Sequence, residues 1–163
     1  MKNKIFTIEI MTKSALIAAL YVVLVYAFAS TSFLPVQVRV AEALCILPAF
    51  TFAAVPGLFI GCLLSNILGG LGMLDIVFGS LATLLAAYLA YKIPKNILKP
   101  LPAVLINAVV VPIILYYTVN APILLTALEV FVGQAIACYG LGLPLMYALQ
   151  KSGFKIESKR TSR

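Results

Sequence analysis

Long apolar runs, separated by short polar or turn-forming breaks, set the pattern of this chain. After the lead MKNKIFTIEIMTK, a polar or amphipathic tail over 1–13, the first run extends from about Ser14 to Ser30. The stretch TSFLPVQVRV, Thr31 to Val40, carries Pro35 and alternates Val36, Val38 and Val40 with Gln37 and Arg39, a period of two that predicts a short extended loop. Further runs follow at about 41–55, 57–68, 76–91, 102–119 and 122–150. Pro56, Gly69-Gly70, the stretch KIPKNILKPLP and Asn120-Ala121-Pro122 mark the breaks. Residues 151–163 form a second polar tail. The pattern predicts an all-α chain, a six-helix bundle in one domain.

The runs differ in length. The second and third extend roughly 20 Å at about 1.5 Å per residue, short against a hydrocarbon core of about 30 Å. Either they are interior helices extended by their loops, or 41–68 is a hairpin that does not cross, which leaves four spans; six is the preferred count. The sixth run is too long for one straight span, so Pro144 kinks it or its end continues beyond the membrane.

Composition turns these helices into membrane helices. Of 163 residues, 63% are hydrophobic and 10% charged, where ordinary soluble domains carry about 25% charged residues. Six spans leave no room for a separate nucleotide-hydrolysing domain, and no G-x-x-x-x-G-K-[ST] phosphate loop occurs. The chain has no histidine, which excludes a Ser-His-Asp triad, the H-E-x-x-H zinc helix and histidine proton relays. No catalytic role, cofactor or metal is expected. Gly70, Gly72 and Asp75 in GGLGMLD approach the G-x-G-D pattern of intramembrane aspartyl proteases, but Asp75 is the chain's single aspartate and that chemistry needs a carboxylate pair. Cys45, Cys62 and Cys138 are odd in number, lack C-x-x-C spacing and lie in apolar runs, so they read as small buried hydrophobes. Ala27-Phe28-Ala29 fits a signal-peptide cleavage site, yet the following runs need a first bundle member, and the first helix is expected to stay.

The formal charge of +7 is topological and does not point to nucleic acid. Eleven of the twelve basic residues fall in three clusters, at Lys2 to Lys13, Lys92 to Lys99 and Lys151 to Arg163. Under the positive-inside rule these are cytoplasmic segments, which puts both termini in the cytoplasm of a multi-pass membrane protein. Arg39 alone lies outside.

Ionisable groups at membrane depth are costly and so are functional candidates. With Glu9 and Glu157 in the tails, three acids remain: Glu42 at the start of the second helix, Asp75 just before the fourth and Glu129 about two turns into the sixth, all in the outer half. Arg39, Asn66 and Gln134 are neighbours at that level, and Asn107 lies deeper. Plainer roles compete. Arg39 and Glu42, three apart, pair with each other; Asp75 caps the fourth helix; Asn66, Asn107 and Gln134 hydrogen-bond between helices. Glu129 has no basic residue within a helical turn and is the strongest single candidate. Ala15 with Ala19, Gly57 with Gly61 and Gly133 with Ala137 are small-residue pairs that let helices approach closely.

The run VQVRVAEALCILPAFTFAAVPGLFIGCLLSNILGG, continuing into DIVFGSLATLLAAYLAYK, resembles the QueT family of substrate-binding S components of energy-coupling factor (ECF) transporters. The resemblance rests on the order R-x-x-E-A-L, P-G-L-F-I-G-C, N-x-x-G-G and D-x-x-F-G-S and covers most of the chain. It implies a six-helix subunit that captures a small molecule and works with a transmembrane coupling protein and two cytoplasmic ATPases, the ATP being used by the partners. It also implies that Ala15 and Ala19, matching an A-x-x-x-A motif, face the coupling protein. The implied substrate is a queuosine precursor, chiefly 7-aminomethyl-7-deazaguanine. Its ring N–H and amino group match the two oxygens of one carboxylate, its ammonium calls for a second acceptor, and its carbonyl for a donor. Glu129 and Glu42 are then expected to divide the ring edge and the ammonium, with Asp75 the substitute for either and Asn66, Gln134 or Arg39 the donor.

Overall fold

The computed structural model describes residues 7–29 and 39–153. These residues form six apolar helical segments and, among them, no strand. They are α1 (Ile8–Ala27), α2 (Val40–Ala49), α3 (Ala54–Leu68), α4 (Asp75–Lys92), α5 (Leu101–Val119) and α6 (Ile123–Lys151). Four helices, Ile8–Ala27, Asp75–Lys92, Asn96–Val119 and Ile123–Lys151, are long and apolar enough to cross a membrane; α2 and α3 are shorter. The extended segment expected before residue 39 and the polar tail beyond residue 153 lie outside the described residues.

Several boundaries differ from the sequence pattern. α1 begins at Ile8 and takes up half of the expected tail. Glu9 and Lys13, four apart, form an ion pair there, and the Thr12 hydroxyl donates back to the Ile8 carbonyl at 2.9 Å, so the polar residues satisfy one another on a helical surface. The break between the second and third runs falls at 50–53 and not at Pro56, which lies inside the first turn of α3. Proline is acceptable there because the first N–H groups of a helix lack partners in any case. Met73 and Leu74 are already helical ahead of Asp75, which therefore is not the cap of its helix. In α6, a π-helical turn over Ile136–Gly142 comes just before Pro144, where the missing N–H interrupts the regular ladder.

α1 and α3 run parallel in close contact. The Ser14 hydroxyl lies 2.8 Å from the Ala53 carbonyl near one end, and the Tyr26 hydroxyl donates to the Ser65 carbonyl at 3.4 Å near the other. Between them, a Cβ added at Gly57 would lie 2.9 Å from the Ser14 carbonyl oxygen, and one at Gly61 would lie 2.7 Å from Tyr21 Cβ. Gly57 and Gly61 are thus an internal packing seam, as their spacing implied. The buried stripe of α1 is Ser14, Ala18, Tyr21 and Val25, a heptad-like spacing; its remaining face, including Leu16 and Val23, is exposed and apolar, as a lipid-facing surface is.

α2 is the interior element. It is a ten-residue 3₁₀ helix in which all residues except Val40 and Leu47 are buried. Runs of 3₁₀ helix beyond three or four residues are uncommon, and their three-residue period stacks side chains three apart. Arg39, Glu42 and Cys45 accordingly share one row. The π turn of α6 packs on this helix: a Cβ at Gly142 would meet the Ala43 carbonyl at 3.1 Å, and Cys138 Sγ lies 3.5 Å from the Glu42 carbonyl. All three cysteines are buried and free.

The chain reverses through 50–53 and 93–100 at one end and through 69–74 and 120–122 at the other. The first end gathers Lys13, Lys92, Lys95, Lys99 and Lys151. Lys99 is buried there and its ammonium donates to the Ala90 and Ile93 carbonyls at 3.3 and 2.7 Å, capping the last turn of α4. Arg39, Glu42 and Asp75 belong to the opposite end.

Candidate functional site

Glu42 lies in the first turn of α2 and is buried. A charge removed from water needs partners, and the first is Tyr21 on α1, whose hydroxyl donates to Glu42 Oε1 at 2.7 Å. Arg39 opens the same row one 3₁₀ turn earlier but does not form an ion pair with Glu42: among the described residues the single ion pair within 4.0 Å joins Lys13 and Glu9. Arg39 Nε is buried without a hydrogen-bond partner. A buried N–H donor left open at Nε is what a site for an external acceptor requires.

α4 contributes a stripe at four-residue spacing, Asp75, Gly79 and Thr83. Its first turn is π-helical, Asp75–Gly79, a departure from regular helix often found at functional sites. The backbone there is held from α3: Asn66 Nδ2 donates to the Asp75 carbonyl at 3.0 Å. The Thr83 hydroxyl donates to the Gly79 carbonyl at 3.2 Å and lies 3.3 Å from Cys62 Sγ.

These groups converge on one cavity. Arg39 and Glu42 enter from α2, Asp75, Gly79 and Thr83 from α4, Asn107 and Val111 from α5, and Val130 and Gln134 from α6. The amides of Asn107 and Gln134 are both buried, and Gln134 Oε1 lies 3.5 Å from Cys138 Sγ. The free space is about 10 Å³, enough for about one water. A second small cavity, lined by Tyr21, Glu42, Cys45, Thr83 and neighbouring apolar side chains, continues inward from Glu42. Two carboxylates, one guanidinium, two amides and a hydroxyl thus line a small polar pocket whose formal charge, with the acids ionised, is one negative. The arrangement suits a small polar ligand with several donors, at least one acceptor and a single positive charge.

Of the residues singled out from sequence, Arg39, Glu42, Asp75, Gln134 and Asn107, the last expected to lie deeper, are brought together on this cavity. Asn66 is buried one layer behind, holding the Asp75 backbone. Glu129 is half-buried on α6 and does not line the cavity, where the neighbouring Val130 stands instead. Ala15 and Ala19 are exposed on α1, and Ala15 borders an open apolar groove of about 440 Å³ with Met11, Phe52, Pro56, Ile60 and Leu84. Sequence reasoning missed Tyr21, Gly79 and Thr83. For the last two the D-x-x-x-G-x-x-x-T spacing was a readable signal; Tyr21 lies inside an unbroken apolar run where every face looks alike.

No curated protein and no solved structure matches the chain. The family model described as QueT transporter matches residues 11–151, a range that contains all nine cavity-lining positions and their partner Tyr21. The chain is therefore a transporter-family membrane protein, and the family it belongs to is QueT.

Proposed function

We propose that this chain is the substrate-capture subunit of an ECF-type importer and binds a cationic deazaguanine, 7-aminomethyl-7-deazaguanine, in the Arg39–Glu42–Asp75 cavity. The observation that carries the proposal is the meeting of two carboxylates and a guanidinium with an open Nε donor in one small pocket of a QueT-family chain. One carboxylate accepts the ring N–H and the exocyclic amino group; the other accepts the ammonium. Arg39 or Gln134 supplies the donor for the ring carbonyl. Glu42 and Asp75 take these roles in preference to Glu129, because both line the cavity. A fused ring exceeds a one-water space, so capture requires the side chains or helices around the cavity to move apart.

In this reading the basic end faces the cytoplasm and the acidic end faces outside, with all six helices spanning a bacterial plasma membrane. The exposed Ala15 and Ala19 face of α1, with the apolar groove beside it, is the surface offered to a transmembrane coupling protein that carries two ATPases.

Two measurements test the proposal. Purified protein titrated with deazaguanines, guanine, riboflavin, thiamine and biotin should bind the aminomethyl deazaguanine most tightly; a different preferred vitamin would keep the capture role and replace the substrate. Affinity purification from native membranes should recover a coupling protein and ATPases, and uptake should require ATP. Uptake by the chain alone in liposomes, driven by an ion gradient, would contradict the ECF assignment.

A further inference from the structure

Glycines in this bundle answer to two different demands. At Gly57, Gly61 and Gly142 a Cβ would come within 2.9, 2.7 and 3.1 Å of atoms in a neighbouring helix, so a side chain is excluded by packing. Gly79 is under no such demand. Its backbone, φ −63° and ψ −41°, is ordinary right-handed helix and needs no glycine. A Cβ there would meet Asn66 Nδ2 at 3.4 Å and Asp75 Oδ1 at 3.6 Å, ordinary contacts, and alanine is the better helix former. What a methyl group would occupy is the cavity itself, since Gly79 lines it between Asp75 and Thr83.

We propose that Gly79 is the specificity-determining position of the site: by presenting bare backbone it leaves, beside Asp75, the space that receives the aminomethyl arm of the ligand. The distances fit this chemistry. A carbon held where the Cβ would be, 3.6 Å from Asp75 Oδ1, can carry an ammonium at about 2.8 Å from that oxygen. The methylene then rests against the Asn66 amide edge, and the charge reaches the carboxylate. A ligand without the arm leaves this space unused. The inference rests on the substrate reading above and adds to it the place of the arm and the residue that admits it.

The test compares 7-aminomethyl-7-deazaguanine with 7-deazaguanine, which lacks the arm, by calorimetric titration of purified wild-type and Gly79→Ala protein. The substitution is expected to weaken the arm-bearing ligand by about tenfold or more, as overpacking of a filled site does, and to change 7-deazaguanine by less than about threefold. Equal losses for both ligands, or no loss for either, would overturn the inference. Should Gly79→Ala fail to fold, the wild-type protein is titrated with ligands carrying an N-methylated and an N,N-dimethylated arm. Stepwise weakening supports a fitted arm space, and unchanged affinity overturns it. Wild-type protein that binds neither deazaguanine overturns the substrate reading and this inference together, whereas wild-type binding with unaltered selectivity in Gly79→Ala overturns this inference alone.

Discussion

Tyr21 on α1 holds Glu42 on α2 through a 2.7 Å hydrogen bond from its hydroxyl to Oε1. The bond fixes one carboxylate oxygen from behind, and Glu42 also borders the polar cavity. Tyr21→Phe removes the donor while keeping the ring that packs on Gly61. Hydrogen bonds to charged groups contribute about 1.5–3 kcal/mol, so affinity for the deazaguanine is expected to fall by roughly 10-fold or more, as read by calorimetry. Unchanged affinity would show that Glu42 keeps its orientation without Tyr21.

The α1–α3 seam should be intolerant of volume. Gly61→Ala places a Cβ 2.7 Å from Tyr21 Cβ and is expected to destabilise the protein by about 1–3 kcal/mol, visible as a lower unfolding midpoint in detergent. Gly72→Ala, whose Cβ would meet Thr118 Cγ2 at 3.8 Å, should leave the midpoint nearly unchanged. Equal effects would contradict the close approach of α1 and α3.

Lys99 should matter for folding and not for binding. Its ammonium caps the Ala90 and Ile93 carbonyls, far along α4 from Asp75. Lys99→Met leaves those carbonyls without their donor and is expected to cost about 1–3 kcal/mol of stability. Ligand affinity, measured on the same preparation, should stay within about twofold.

The helices were legible in sequence because proline and glycine pairs punctuate the apolar runs, and the buried, free state of the three cysteines followed from their setting. Boundaries were less so. Pro56 reads as a break, yet a helix accepts proline in its first turn, and the break moved to 50–53. The Glu9–Lys13 pair extended α1 into a segment that looks like a tail. At the site, Arg39, Glu42 and Asp75 stood out because charge is rare in this chain. Tyr21 did not, because lipid-facing and core-facing positions of α1 are equally apolar and no asymmetry marks its buried stripe. Glu129 stood out for the same reason as Glu42, and sequence alone could not tell that Val130, one residue on, takes the cavity-lining direction.

Sidedness is open to a direct check. Ile97 and Val119 are exposed at opposite ends of the bundle, and the native cysteines are buried. In intact cells, a membrane-impermeant maleimide should label Val119→Cys and spare Ile97→Cys until the membrane is permeabilised. The reverse pattern would invert the topology and place the acidic end in the cytoplasm.

The central claim is that the cavity carboxylates bind the cationic deazaguanine, and calorimetric titration of Glu42→Gln, Asp75→Asn and Glu129→Gln against wild type tests it most directly. The first two each remove a charge from the cavity lining and are expected to weaken binding by roughly 10- to 100-fold, while Glu129→Gln stays within about threefold. Wild-type affinity in both Glu42→Gln and Asp75→Asn, with folding intact, would contradict it.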